Sequence, residues 1–122
     1  GRQERVSSPQ VIASTLLCLA MVVNGEARGE PFYGQLAVAT VVINRAEGNR
    51  TSVCFEAKRP YQFAPKKHPT KASYVASYLA YYLYSFLPNS LKKNWYFKSG
   101  TRDKRHYGKY NMTIAHHKFY SK

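Results

Sequence analysis

Acidic residues are scarce in this sequence of 122 residues: six Asp and Glu stand against nineteen Lys and Arg, a net charge of +13. With so few carboxylates, each can be weighed individually as a candidate for acid–base chemistry. Cysteine is scarcer still, with Cys18 and Cys54 alone. No histidine stands at zinc-type spacing from them, which excludes a zinc finger and leaves no self-sufficient metal cage. No metal and no cofactor are therefore expected. Cys18 falls inside an apolar run, where a buried free thiol is the ordinary state; a Cys18–Cys54 bridge is the alternative in an oxidising compartment. Long hydrophobic runs are also missing. The longest, Val11 to Val23, is about thirteen residues and contains Ser14 and Thr15, against the roughly twenty of a bilayer-crossing helix. No small-residue cleavage site follows it, so neither a membrane span nor a signal peptide of the chain's own is expected. Repeats, low-complexity tracts and Gly/Ser linkers are absent. The expected organisation is an N-terminal tail over residues 1–8 and one domain over 9–122, working as a monomer.

The positive charge is distributed unevenly. Residues 1–56 balance Arg2, Arg5, Arg28, Arg45 and Arg50 against Glu4, Glu26, Glu30, Glu47 and Glu56. All of the net charge falls in residues 57–122, where Asp103 is the sole acid. Aromatics are interleaved there: Tyr96, Phe97, Tyr107, Tyr110, Phe119 and Tyr120. Such a half attracts polyanions, whether nucleic acid, anionic lipid or bacterial wall polymer, and rings suit bases and sugars alike. A solvated, solubilising face is the plain alternative. None of the helix-turn-helix, zinc-finger or RNA-binding signatures is present, so nucleic acid is not the expected partner.

Ser8 and Pro9 form a helix start, as N-cap and first helical residue. Ile12, Leu16, Leu19 and Val23 then recur on one stripe and predict a helix over Pro9 to Ala27, stopped by Gly29 and Pro31. Tyr33 to Arg45 is apolar nearly all round and predicts a central helix. Residues 46–69, with Gly48, Pro60, Pro65 and Pro69, read as loop with at most short helical turns. A third helix is predicted from Thr70 to Leu87, with Pro88-Asn89 as its end; Tyr74, Tyr78 and Tyr81 share a face that is read as core, with a sugar platform as the alternative. Beyond Asn94 helical periodicity disappears, and Trp95-Tyr96-Phe97 and Met112 to Tyr120 read as two short strands around a basic loop. The predicted class is α+β and mostly helical: three main helices with a small C-terminal β element.

Glu26 continues the first helix's apolar stripe, three residues after Val23, seven after Leu19 and fourteen after Ile12. A carboxyl on that side is desolvated, which raises its pKa and keeps it protonated near neutrality. A general acid that protonates a glycosidic oxygen needs this property. The plainer alternative is a helix-end ion pair with Arg28 or Arg45. Glu30, beyond Gly29, is expected to point elsewhere.

The runs Asn24-Gly25-Glu26-Ala27-Arg28-Gly29-Glu30-Pro31, Gly34-Gln35-Leu36-Ala37-Val38-Ala39 and Val41-Val42-Ile43-Asn44-Arg45 resemble the signature of the cell wall hydrolases typified by the spore cortex-lytic enzyme SleB. The likeness continues through Val53-Cys54, Gln62-Phe63 and Trp95-Tyr96-Phe97. It closes on Ile114 to Tyr120, where the family tends to show Ile-Gly-x-His-x-Phe-Tyr. It covers residues from about 12 to 120; the first block is long and specific, the later ones short.

The resemblance implies a lysozyme-like, lytic-transglycosylase fold with Glu26 as the sole catalytic acid/base. The bond cut would be that between N-acetylmuramic acid and N-acetylglucosamine, with the muramyl 6-hydroxyl closing on the anomeric carbon to give a 1,6-anhydro product. It also implies a cleft wall at Gln62 and Phe63, where Gln62 can hydrogen-bond sugar or Glu26 and Phe63 can pack beneath; a plain core role is the alternative for Phe63. Tyr96 and His117 are candidates for the opposite side, with Glu30 a further substrate contact. A two-carboxylate glycosidase would need a second acid flanking the bond, and Glu30 is the only nearby one. Hydrolysis by a muramidase with the same Glu26 remains the alternative reaction, and a basic nucleic-acid- or wall-binding module the non-enzymatic one.

The expected partners are peptidoglycan glycan strands, with anionic wall polymers drawn to the basic 57–122 half. The expected site of action is the bacterial wall, by secretion or by phage lysis or virion delivery. The chain departs from the family at Ala115, where Gly is usual, and at the additional His116. Neighbours in an extended strand point to opposite faces, so His116 and His117 are read as a poor metal pair.

Overall fold

The computed structural model describes residues 9–58, 68–100 and 107–122. Helices α1 (Pro9–Ala27), α2 (Phe32–Asn49), α3 (Val53–Ala57), α4 (Lys71–Tyr82) and α5 (Asn89–Lys92) precede strands β1 (Asn94–Ser99), β2 (Lys109–Ile114) and β3 (His117–Ser121). The class is α+β and mostly helical, as predicted.

Helix α2 is the axis of the molecule. Every residue from Gly34 to Ala46 is buried, because α1, α3, α4, α5 and β1 all pack around it. Its apolarity on all sides is thus a consequence of having neighbours on all sides. It runs four residues past the predicted Arg45 and stops at Arg50, whose left-handed backbone (φ 57°) lets its N–H cap the Ala46 and Glu47 carbonyls. Glu47 therefore lies on α2 rather than in the loop expected there.

Helix α1 has the predicted bounds, and its stripe deepens along its length. Ile12 and Leu16 are half-buried, whereas Leu19 and Val23 are fully buried. By length and apolarity α1 is long enough to cross a membrane; in this fold its C-terminal half lies in the core beside α2. Ser8, the predicted N-cap, lies outside the described residues.

Cys18 is not a free thiol. It is bonded to Cys54 across 36 positions, with Cα atoms 5.2 Å apart. The apolar run makes Cys18 resemble an ordinary core thiol, but α3 lies across α1 and brings Cys54 within reach. Glu56 of α3, also read as a loop residue, is 0% exposed and faces the Arg45 guanidinium at 3.6 Å. It accepts from Asn49 and Thr51 as well.

The tyrosine stripe of the third helix is only partly core. Helix α4, capped by Thr70 Oγ1 accepting from the Ser73 N–H, buries Ser73, Ala76, Ser77, Ala80 and Tyr81. Tyr74 and Tyr78 are 40% and 52% exposed. Small residues take the inner face because α4 packs on both α1 and α2, and short side chains allow closer axes. The helix ends at Tyr82; a 3-10 turn over Tyr84–Phe86 and the short α5 fill the stretch to Lys92.

The sheet has the order β1-β3-β2, all antiparallel. The single second strand expected over Met112 to Tyr120 is instead two strands, because the chain reverses at Ala115-His116. Ala115 has φ 49°, the positive value that the first central residue of a two-residue hairpin adopts and that glycine favours. The sheet's inner face rests on the helices through Phe97, Phe119, Met112 and Ile114. Asn44 of α2 fixes β1 by donating to the Asn94 carbonyl at 2.7 Å, and its own oxygen accepts from the Tyr84 hydroxyl. At Gly48 the indole of Trp95 lies where a Cβ would be, 2.2 Å from the Cβ position.

Candidate active site at the end of the first helix

Glu26 sits one residue before the end of α1, half-buried. Withdrawal from water pushes its carboxyl up to about 7. The ion-pair alternative fails on geometry: Arg28 donates to Asn24 Oδ1 at 3.3 Å and Arg45 faces Glu56. Among the described residues, Glu26 has no salt bridge. Burial therefore keeps a share of its carboxyl protonated near neutral pH, where an ordinary carboxylate is fully ionised.

Glu30 is four residues away and lives in the opposite environment. Gly29, at φ +83°, turns the chain out of α1, and the Glu30 N–H returns to the Ala27 carbonyl. The Glu30 carboxylate then meets the hairpin between β2 and β3. Its Oε1 accepts from the His116 backbone N–H at 3.0 Å and faces His117 Nδ1 at 3.2 Å, and its Oε2 faces His116 Nδ1 at 2.7 Å. An ionised carboxylate only accepts, so both imidazoles present Nδ1–H to it. Burial pushes the Glu30 carboxyl up, but hydrogen bonds from the His116 ring and backbone and from His117, with the His117 charge, bring it down to about 2.

The expectation that His116 and His117 point to opposite faces is corrected here. His117 opens β3 and is buried at 2% exposure. His116 lies in the turn before it, where strand alternation does not apply, so its ring swings to the same carboxylate. Gly34 leaves room for this contact: a Cβ there would meet Ile114 Cγ2 at 3.3 Å and Glu30 Cβ at 3.6 Å. The clamp joins residues 86 and 87 positions apart, which sequence separation concealed. The one local signal is the adjacent pair His116-His117.

Of the other predicted site residues, Gln62 and Phe63 lie outside the described residues. Tyr96 does not share a side with His117. Phe97 packs its ring against that of His117 at 5.6 Å on the inner face. Tyr96, its neighbour in the strand, therefore leaves the other side of β1 and is half-buried, with the guanidinium of Arg45 from α2 5.4 Å from its ring centre. The structure thus brings Glu30 and His117 together, adds His116, and separates Tyr96 from them. Among the described residues no group of three or more His, Cys, Asp or Glu side chains is arranged to hold a metal ion.

Two carboxyls four residues apart have been driven in opposite directions, to about 7 and about 2. Under mildly acidic conditions the first therefore holds its proton while the second is ionised. No family model, curated protein or solved structure matches the chain.

Proposed function

We propose that this chain is a lysozyme-like enzyme that cleaves peptidoglycan glycan strands between N-acetylmuramic acid and N-acetylglucosamine by lytic transglycosylation. The observation that carries this reading is the carboxyl of Glu26, withdrawn from water at the end of α1, without a salt bridge among the described residues and raised to about 7, so that it can still hold a proton near neutrality. The resemblance of residues 24–45 to the SleB-type signature supports the substrate.

In the proposed reaction Glu26 gives its proton to the glycosidic oxygen as the bond to the anomeric carbon breaks. The leaving sugar departs as an alcohol. The muramyl 6-hydroxyl oxygen bonds to the same carbon, and its proton passes to the Glu26 carboxylate, which restores the acid. No second carboxylate is consumed. Glu30 suits this scheme as a fixed anion rather than as a nucleophile: three donors occupy it, and a carboxyl held near 2 is a weak nucleophile. In this role it holds the β2–β3 hairpin against the end of α1.

Digestion of purified peptidoglycan, with muropeptides resolved by mass spectrometry, tests the reading. Anhydro-muramyl products from the native chain, absent with Glu26→Gln, are expected. Reducing-end products would keep Glu26 but make the reaction hydrolysis. No release from several wall types would remove the enzymatic reading.

A further inference from the structure

The outer face of the sheet presents a second surface, chemically unlike the first. Pairing places Tyr96, Tyr120 and Tyr110 opposite one another across all three strands, and Lys98, Lys118 and Thr113 likewise. Residues paired in register share a side, as do residues two apart in one strand. Tyr96 and Lys98, Tyr120 and Lys118 therefore stand on the face turned away from Phe97 and Phe119. The Tyr110 hydroxyl lies 2.7 Å from Thr113 Oγ1 across the bulge in β2, which puts both on that face too.

Tyr107 adds a fourth ring, 5.7 Å from Tyr96 and 5.8 Å from Tyr120, and Tyr110 stands edge-on to Tyr120 at 6.0 Å. Lys98 Nζ lies 5.5 Å from the Tyr120 ring centre and 6.0 Å from that of Tyr107. None of these paired rows contains an acid. Tyr110 is 59% exposed, and Thr113 and Lys118 are exposed, whereas Tyr96, Lys98, Tyr107 and Tyr120 are half-buried. The solvent side of an antiparallel sheet is ordinarily polar; a cross-strand row of tyrosines there, beside a lysine row, calls for a partner.

We propose that this outer face is a binding platform for a carboxylate-bearing glycan strand, namely uncross-linked peptidoglycan, distinct from the site at Glu26. Sugar rings lie with their C–H faces on aromatic rings, while phenol, threonine and lysine groups reach hydroxyls, amides and stem-peptide carboxylates. A single-stranded nucleic acid is the competing occupant, because bases also stack on rings. The paired rows carry two lysines against three phenols and a threonine hydroxyl, a balance that suits a polymer rich in hydroxyls with sparse carboxylates better than one with a phosphate on every nucleotide. The platform holds substrate irrespective of cleavage and rests on the reading above only for the identity of the polymer. Its sheet also carries the hairpin that holds Glu30, four residues beyond Glu26.

The test is co-sedimentation of the native chain with sacculi from a wall lacking teichoic acid, against Tyr110→Ser with Lys118→Glu. Both changes are at exposed positions outside the core. The native chain is expected to bind, more weakly as salt rises, and Glu26→Gln to bind equally well. Loss of cleavage with retained binding therefore separates the two proposals. The double variant is expected to lose at least about tenfold in binding while keeping its melting temperature. Should it misfold, Lys118→Glu alone is expected to weaken binding about threefold. Undiminished sedimentation of a folded variant overturns the platform. So does a variant that loses affinity for a single-stranded oligonucleotide but not for sacculi.

Discussion

The helical region and the sheet of this protein use their surfaces in opposite ways. Helix α2 is buried on every side from Gly34 to Ala46, and polar side chains there turn to internal groups, Arg45 to Glu56 and Asn44 to Asn94 and Tyr84. The sheet is two-sided: Phe97, Phe119, Met112 and Ile114 face the core, whereas Tyr96, Tyr110, Tyr120, Lys98 and Lys118 face outward. Lys98 and Lys118 of the second half thus stand on the sheet without entering the core. The near-neutral first half supplies the carboxyls. Glu26 is withdrawn from water at the end of α1, and Glu30, four residues on, is tied to the sheet by the β2–β3 hairpin.

The largest expected effect comes from removing the acid of the helical region. Glu26→Gln is expected to lower muropeptide release by about 10²–10⁴-fold, the usual contribution of a general acid. Its stability should move the other way. A carboxyl raised to about 7 holds its proton in the folded state more tightly than when unfolded, so folding weakens as pH rises from about 4.5 through 7. The variant carries no such penalty, and its melting temperature at pH 8 should equal or exceed that of the native chain. A clear fall would mean that Glu26 makes a stabilising contact as an anion. By the same sign, activity that depends on the protonated acid should decline above about pH 7 in a pH–rate profile.

Within the helical region, the bridge between α1 and α3 is next. Replacing both Cys18 and Cys54 by Ala is expected to cost about 3–4 kcal/mol in denaturant unfolding, from the loop of 36 positions it closes. The sheet's activity-independent binding should survive wherever the variant remains folded.

The joint between the regions can be broken at Gly48. An added methyl there meets Trp95 at 2.2 Å, so Gly48→Ala is expected to destabilise by about 1–3 kcal/mol, as overpacking does. At Gly34, where the nearest atom is a side-chain methyl at 3.3 Å, the same change should cost less. Equal costs at the two positions would mean that the sheet is not seated on α2 through Trp95.

A subtler break is Glu30→Gln, which keeps the shape but removes the anion held by two imidazoles. The native carboxyl is lowered, so its stabilisation is present above about pH 4.5 and is lost as pH falls toward 2. Acid unfolding followed by circular dichroism should show that loss in the native chain and a flatter course in the variant. At neutral pH the variant is expected to be about 1–3 kcal/mol less stable.

The smallest effect sharpens the comparison instead of breaking it. Ala115→Gly, at φ 49°, should raise stability by up to about 1 kcal/mol, because glycine meets no steric penalty in the left-handed region. Thermal melts would detect this as a shift of a few degrees.

Local patterns in the sequence made much of the fold legible. The stripe from Ile12 to Glu26 marked the first helix and its acid, because helical periodicity is set by neighbouring residues alone. The apolar run after Tyr33 marked a helix surrounded by others. Tyr74 and Tyr78 misled because hydrophobic spacing identifies a face without saying which one the neighbours will choose; close approach to α1 and α2 selected the Ser/Ala face. The hairpin at Ala115-His116 was hidden because β-branched and aromatic content is similar on both sides of the turn.

What the sequence by itself determined was thus the set of helices, the uneven charge and the placing of Glu26 on an apolar stripe, since each depends on contacts within a few residues. Only the tertiary structure decided that Cys18 bonds to Cys54, that Glu30 is held by His116 and His117, and that the tyrosines and lysines form rows on one face. Those contacts join segments far apart in the chain. They exist because α3 crosses α1 and the sheet folds back on α2, arrangements fixed by how all the buried faces fit together rather than by any one stretch of residues.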